Sequence, residues 1–184
     1  MSQIDFNEVI LVNFQDQVIG KMEKLEAHQK GLLHRAFSVF VFNSNKELLL
    51  QKRALGKYHS EGLWTNTCCS HPSPGETIEN AAKRRLQEEM GYSCQLNTTF
   101  SFIYDVQLDN ELIEHELDHV VIGISNVDPI LNSEEASDFK WMCLKEIKED
   151  IKSNSENYTS WFKIILDEHF DKLNNSLNSL HESL

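Results

Sequence analysis

Hydrophobic positions along the chain change period several times, and each change marks an element. Residues 8–13 and 35–42 are dense in β-branched and aromatic side chains, and residues 47–53 follow the second run after Asn43-Ser44-Asn45-Lys46. This pattern predicts a strand and then a hairpin. A loop rich in Gly, Pro, Ser and Thr spans residues 56–75. The segment TIENAAKRRLQEEMG then takes helical spacing and ends on Gly91, a C-cap residue. Residues 100–108, 115–125 and 138–144 read as three more strands, joined in part through Asn132-Ser133-Glu134. A short helix is expected over 144–151. From Glu156, the residues Phe162, Ile165, Leu166, Phe170, Leu173, Leu177 and Leu180 recur at intervals of three and four, predicting one long amphipathic helix over about 156–181. The economical architecture is α+β, a mixed or antiparallel sheet with helices packed on it, in a single domain over 1–184.

Composition narrows the function. Lys plus Arg number 17 against 29 Asp plus Glu, a net charge of −12, which argues against nucleic acid or an anionic membrane as the main partner. Four cysteines in 184 residues are too sparse for a disulfide scaffold. The start MSQIDFNEVILVNF carries acidic residues where a signal peptide is positive, and no apolar run reaches the span of a bilayer. A cytoplasmic protein follows as the expectation.

Four segments could carry chemistry. In LWTNTCCSHPSPG an extended backbone puts Cys69 and His71 on one face and turns Cys68 to the other; for Cys68 a small buried hydrophobe is the favoured reading. In ELIEHELDHVVIGIS, a period of two sets Glu114, Glu116 and Asp118 in the row of Val120, Ile122 and Ile124. Acids at the mouth of an aliphatic-floored cavity give that pattern, and so does a strand end leaving the core. His28, His34, His71, Glu114 and Glu116 form a nitrogen and oxygen ligand set suited to Zn, Mn or Fe. They come from separate segments, and taken singly each His is more often surface or core. Finally, SHPSPGETIENAAKRRLQEEMGY can be laid over the Nudix box, a loop and helix whose glutamates hold the magnesium of a diphosphate. Glu76, Arg84, Leu86, Glu88, Glu89 and Gly91 match; Ser70 stands for the opening Gly and Arg85 for a Glu. A surface helix laced with Arg–Glu pairs is the bland alternative.

Together LLHRAFSVFVFN, TNTCCSHP, AAKRRLQEEMG and EHELDHV resemble the type I isopentenyl-diphosphate isomerases, which have a Nudix-like fold, in order from about Lys24 to Trp161. The resemblance implies an enzyme that interconverts isopentenyl and dimethylallyl diphosphate in isoprenoid biosynthesis, by metal-dependent proton addition and removal through a carbocation. It places the catalytic thiol on Cys69, the catalytic acid on Glu116 and an active-site Tyr on Tyr104. It places a divalent ion (Mn²⁺, Zn²⁺ or Mg²⁺) on His28, His34, His71, Glu114 and Glu116, and a substrate-bridging Mg²⁺ on Glu89. Lys24, Arg53, Lys57 and Arg85 match basic positions around the diphosphate, and Trp161 the aromatic over the hydrocarbon tail. His59-Ser60-Glu61-Gly62 departs from the family, which commonly has an aromatic, Pro and Gly there. The implied partner is a small prenyl diphosphate, with the chain a monomer or weak homodimer. The rival readings are a Nudix diphosphohydrolase of a nucleoside or prenyl diphosphate, and a binding module without turnover.

Overall fold

The structure is a computed structural model, described over residues 7–57, 59–108 and 111–182. Its elements are β1 (Glu8–Val12), β2 (Val18–Glu23), α1 (Lys24–Lys30), β3 (His34–Phe42), β4 (Glu47–Arg53), β5 (Trp64–Thr65), β6 (Cys68–Ser70), α2 (Ile78–Met90), β7 (Leu96–Gln107), β8 (Ile113–Ile124), β9 (Ala136–Cys143), α3 (Leu144–Ser153), α4 (Ser160–Glu168) and α5 (Phe170–Glu182). The α+β reading with a mixed sheet holds.

β3 organises the sheet. β8 runs parallel to it along its whole length, from His34↔Glu116 to Phe42↔Ile124. Its other edge is therefore shared in turn by β1 at His34, β6 at Phe37–Val39 and β4 at Phe42. β7 pairs antiparallel with β8, and β9 with β4.

Alternation on β3 divides the core into two layers. Phe37, Val39 and Val41 face α2, with Ala81, Ala82, Leu86 and Met90. Phe40 and Phe42 face the C-terminal helices, with Ile147, Phe162, Ile165, Leu173 and Leu177. His34, two and four positions before Ala36 and Ser38, shares the parity of that second layer.

Three sequence expectations change. The helix over 156–181 is two helices, α4 and α5, preceded by a 3₁₀ turn at Ser155–Asn157. The break is at His169, whose backbone leaves helical geometry (φ −122°, ψ 14°) while its ring packs at a tilt against Phe102, centroids 4.4 Å apart, so the redirected chain keeps Leu173 and Leu177 buried. β2 and α1 were not expected: β2 is exposed at Val18 and Ile19, and α1 has seven residues, too few for a helical period to declare itself. The loop over 56–75 contains the short strands β5 and β6.

Candidate active site

Gly31 decides how the histidines meet. It ends α1 in the left-handed region at φ 60°, and a Cβ there would press on Ile113 at 3.1 Å. The chain turns at once into β3, leaving the rings of His28 and His34 4.8 Å apart. β6 brings His71 within 4.9 Å of His34, and the parallel register sets Glu116 beside His34.

Ligand atoms of His28, His34, His71 and Glu116 lie within 4.8 Å of one another. Nδ1 of His28 donates to the Lys24 carbonyl and Nδ1 of His34 to the Leu32 carbonyl, each at 2.7 Å. A carbonyl only accepts, so Nδ1 is the donor in each ring and Nε2 is the atom turned toward the other ligand atoms. These nitrogens face Glu116 Oε1 at 3.7 and 3.4 Å, and His34 Nε2 lies 3.2 Å from His71 Nε2. Burial pushes the His71 imidazole down to about 3. His71 Nε2 itself lies 2.9 Å from Glu116 Oε1, and three imidazole nitrogens converging on one carboxylate oxygen are a donor set that fits a divalent ion. Glu114 stands outside this quartet. Its Oε2 lies 3.2 Å from the Tyr104 hydroxyl oxygen, and its Oε1 lies 3.7 Å from His59 Nε2.

Every residue that the family resemblance assigned to the site, except His34, lines one cleft, whereas Cys68, Glu76, Arg84, Glu88 and Asp118 do not. On its acid–base side, the Tyr104 hydroxyl donates to Glu116 Oε2 at 2.7 Å, and burial followed by the neighbouring Glu116 charge raises the Glu114 carboxyl. Burial also pushes the Cys69 thiol far up, so it carries its proton. Cys68 faces the other way, fully buried among the α2 contacts. Trp161 closes this side, its Nε1 donating to Asn66 Oδ1 at 3.2 Å.

The opposite side is basic. Arg85 donates to Glu89 Oε1 (2.7 Å from Nη2) and reaches Glu135 Oε1 at 3.3 Å. Glu135 also pairs with Lys57, and Gln51 Nε2 donates to the second Glu89 oxygen at 2.8 Å. Arg85–Glu89 is thus a pair that lines the cleft, while the exposed Glu88 accepts from both Arg85 and Arg84, at 2.9 and 3.3 Å, so the helix carries the surface lacework too. Glu76 and Arg84 instead hold the loop before α2 through two bonds of 2.8 and 2.9 Å. Arg53 spends its donors on the carbonyls of His59 and Ser60, at 3.2 and 3.1 Å, and lies 5.4 Å over the Trp161 ring.

Ser38, Gln51, His59 and Glu135 are among the lining or supporting residues that the sequence reading missed. Ser38 shares the parity of His34 on β3, so a period of two was the signal that could have found it. The others had none, because tertiary packing alone carries them to the cleft.

No described helix is long and apolar enough to cross a membrane. Among solved structures the chain is similar to DR0079 of Deinococcus radiodurans (TM-score 0.71, 19% identity, 86% of this chain and 96% of that one). It is also similar to a MutT protein of Methanosarcina mazei (TM-score 0.63, 19% identity, 77% and 95%). At those identities the likeness establishes the fold. In sequence it matches the NUDIX domain over residues 32–162. It is 51% identical over 161 residues to isopentenyl-diphosphate Delta-isomerase 2 of Aromatoleum aromaticum, covering 88% of this chain and 85% of that one. It is 53% identical over 158 residues to the enzyme of the same name from Photorhabdus laumondii, covering 86% and 89%. Identity of that order over most of its length means that the chain belongs to the isopentenyl-diphosphate Delta-isomerase family and carries a NUDIX domain.

Proposed function

We propose that the chain interconverts isopentenyl and dimethylallyl diphosphate by moving a double bond: a proton adds to the terminal alkene carbon, and another leaves the carbon two positions away. The observation that carries this reading is a half-buried thiol, Cys69, sharing one cleft with a Tyr104-bonded carboxylate, Glu116, and with the ring of Trp161. Cys69 and Glu116 are the two proton carriers, and Tyr104 orients the Glu116 carboxylate. A tertiary carbocation would be captured by water, so the chemistry requires a dry cavity. Trp161, 2% exposed, offers a π face that stabilises a cation without attacking it.

Lys24, Lys57 and Arg85 take the diphosphate, while Arg53 holds the loop beside Trp161. His28, His34, His71 and Glu116, with Glu114 alongside, would hold Mn²⁺, Zn²⁺ or Mg²⁺, and Glu89 a substrate-bound Mg²⁺. Such ions supply charge neutralisation for buried acids and for the diphosphate. A diphosphohydrolase on the same fold would gather acids on α2 around its metals; here Arg85 takes one of those positions and clamps Glu89. The protein is proposed to work in the cytoplasm, as a single domain, monomeric or weakly dimeric.

The test is turnover of isopentenyl diphosphate with Mg²⁺ in heavy water. Deuterium in dimethylallyl diphosphate is the expected result, and release of inorganic phosphate or diphosphate without isomer would overturn the proposal.

A further inference from the structure

Lys57 and His59 both line the cleft, and the His59 ring is turned into it. His59 is 7% exposed, and its ring stands edge-on to Trp161, centroids 5.8 Å apart and planes at 83°. Its Nε2 lies 3.7 Å from Glu114 Oε1. The backbone enforces this direction. Arg53 binds the carbonyls of both His59 and Ser60, Ser60 adopts φ 51°, and the Gly56 amide donates to Glu61 Oε2 at 2.7 Å. A serine in the left-handed region is uncommon and persists where its surroundings over-determine it.

Charged groups divide the space. Lys57, Arg85, Glu89 and Glu135 contact one another at one end, whereas His59, Trp161, Glu114 and Tyr104 are linked by contacts at the other. An anionic head held among the basic groups sends its hydrocarbon toward the second cluster, and the His59 ring occupies room there.

Resting on the isomerase reading, we infer that His59 is a specificity-determining wall: its ring, set against Trp161, limits the alkenyl group to a short branched chain and excludes bulkier prenyl diphosphates. One methylene in a fitted pocket is worth about 10–200-fold in kcat/KM, so the effect is measurable with a small homologue.

The experiment compares kcat/KM for isopentenyl diphosphate and for its homologue with ethyl in place of methyl, in the parent, His59→Ala and His59→Phe. The parent is expected to prefer the natural substrate by at least about tenfold. His59→Ala is expected to lose most of that preference, and His59→Phe, which refills the wall with a ring, to restore it. A purely structural role would lower both rates together and leave the ratio alone. An unchanged ratio in His59→Ala, or in His59→Val if the alanine variant does not fold, overturns the inference. Failure of the parent itself to isomerise isopentenyl diphosphate would instead overturn the functional reading beneath it.

Discussion

Both ends of the cleft present glutamates, yet the two ends are built on opposite electrostatic terms. At the basic end, the carboxylates are matched by the protein's own cations: Glu89 by Arg85, Glu135 by Arg85 and Lys57. These side chains keep some water, with Arg85, Lys57 and Glu135 all about a fifth exposed. At the acid–base end, Glu114, Glu116 and Asp118 are almost wholly buried, and their partners are the Tyr104 and Ser38 hydroxyls and imidazoles. One end matches its acids with its own cations and must exchange partners when an anion arrives; the other crowds three buried carboxyl groups together, of which burial pushes Glu114 and Asp118 up while the histidines hold Glu116 down, and suits a resident cation at Glu116. The same residue type therefore serves as counter-ion at one end and as ligand or proton carrier at the other.

Substitutions at the acid–base end break this contrast most severely. Glu116→Gln is expected to lower turnover by about 10²–10⁴-fold or more, and to lower bound metal in elemental analysis, because one change removes a proton carrier and a charged ligand. Cys69→Ala is expected to lose turnover on the same scale while calorimetry still detects binding of the diphosphate. Activity in Cys69→Ala together with a dead Cys68→Ala would reverse the assignment of the two thiols.

Substituting the histidines tests the cation site directly. His34→Ala and His71→Ala should each weaken divalent-ion binding at least as much as the about 10–100-fold that losing an outer hydrogen-bond partner costs a metal site. Full metal content in both variants would mean that the four-residue cluster is not the binding site.

The basic end should respond more mildly. Glu89→Gln is expected to raise the Mg²⁺ concentration needed for half-maximal rate by about tenfold, equivalent to about 1.4 kcal/mol, with metal at the histidine cluster unchanged. An unaltered Mg²⁺ dependence would remove Glu89 from that role. Smallest of all, Cys68→Ala should cost about 1–2 kcal/mol in a denaturation midpoint, a core truncation among the α2 contacts, and keep most of the turnover.

Much of the acid–base end was legible because strands and extended loops have a period of two. Alternation along 113–124 put Glu114, Glu116 and Asp118 on one face, and alternation at 68–71 separated Cys68 from Cys69. The end of the α2 helix was legible too: Gly91 stands at φ 74°, where a Cβ would lie 2.4 Å from the Ile130 carbonyl oxygen. Helical spacing gave the buried positions of α4 and α5, but a period continues through a bend without recording it, so the break at His169 was invisible.

Periodicity relates neighbours within an element, and from it the local residue chemistry, the strands and the α2 helix could be assigned along this chain. Convergence is a property of register and topology. That His34 meets Glu116 depends on β3 and β8 running parallel with one particular offset; that His28 joins them depends on the turn at Gly31. Glu135 reaches Arg85 because the connection before β9 is bonded to the end of α2, Asn132 N–H to the Glu89 carbonyl. Such pairings are chosen by burial of the whole sheet face, an energy summed over residues far apart in sequence, and only the folded chain decides them.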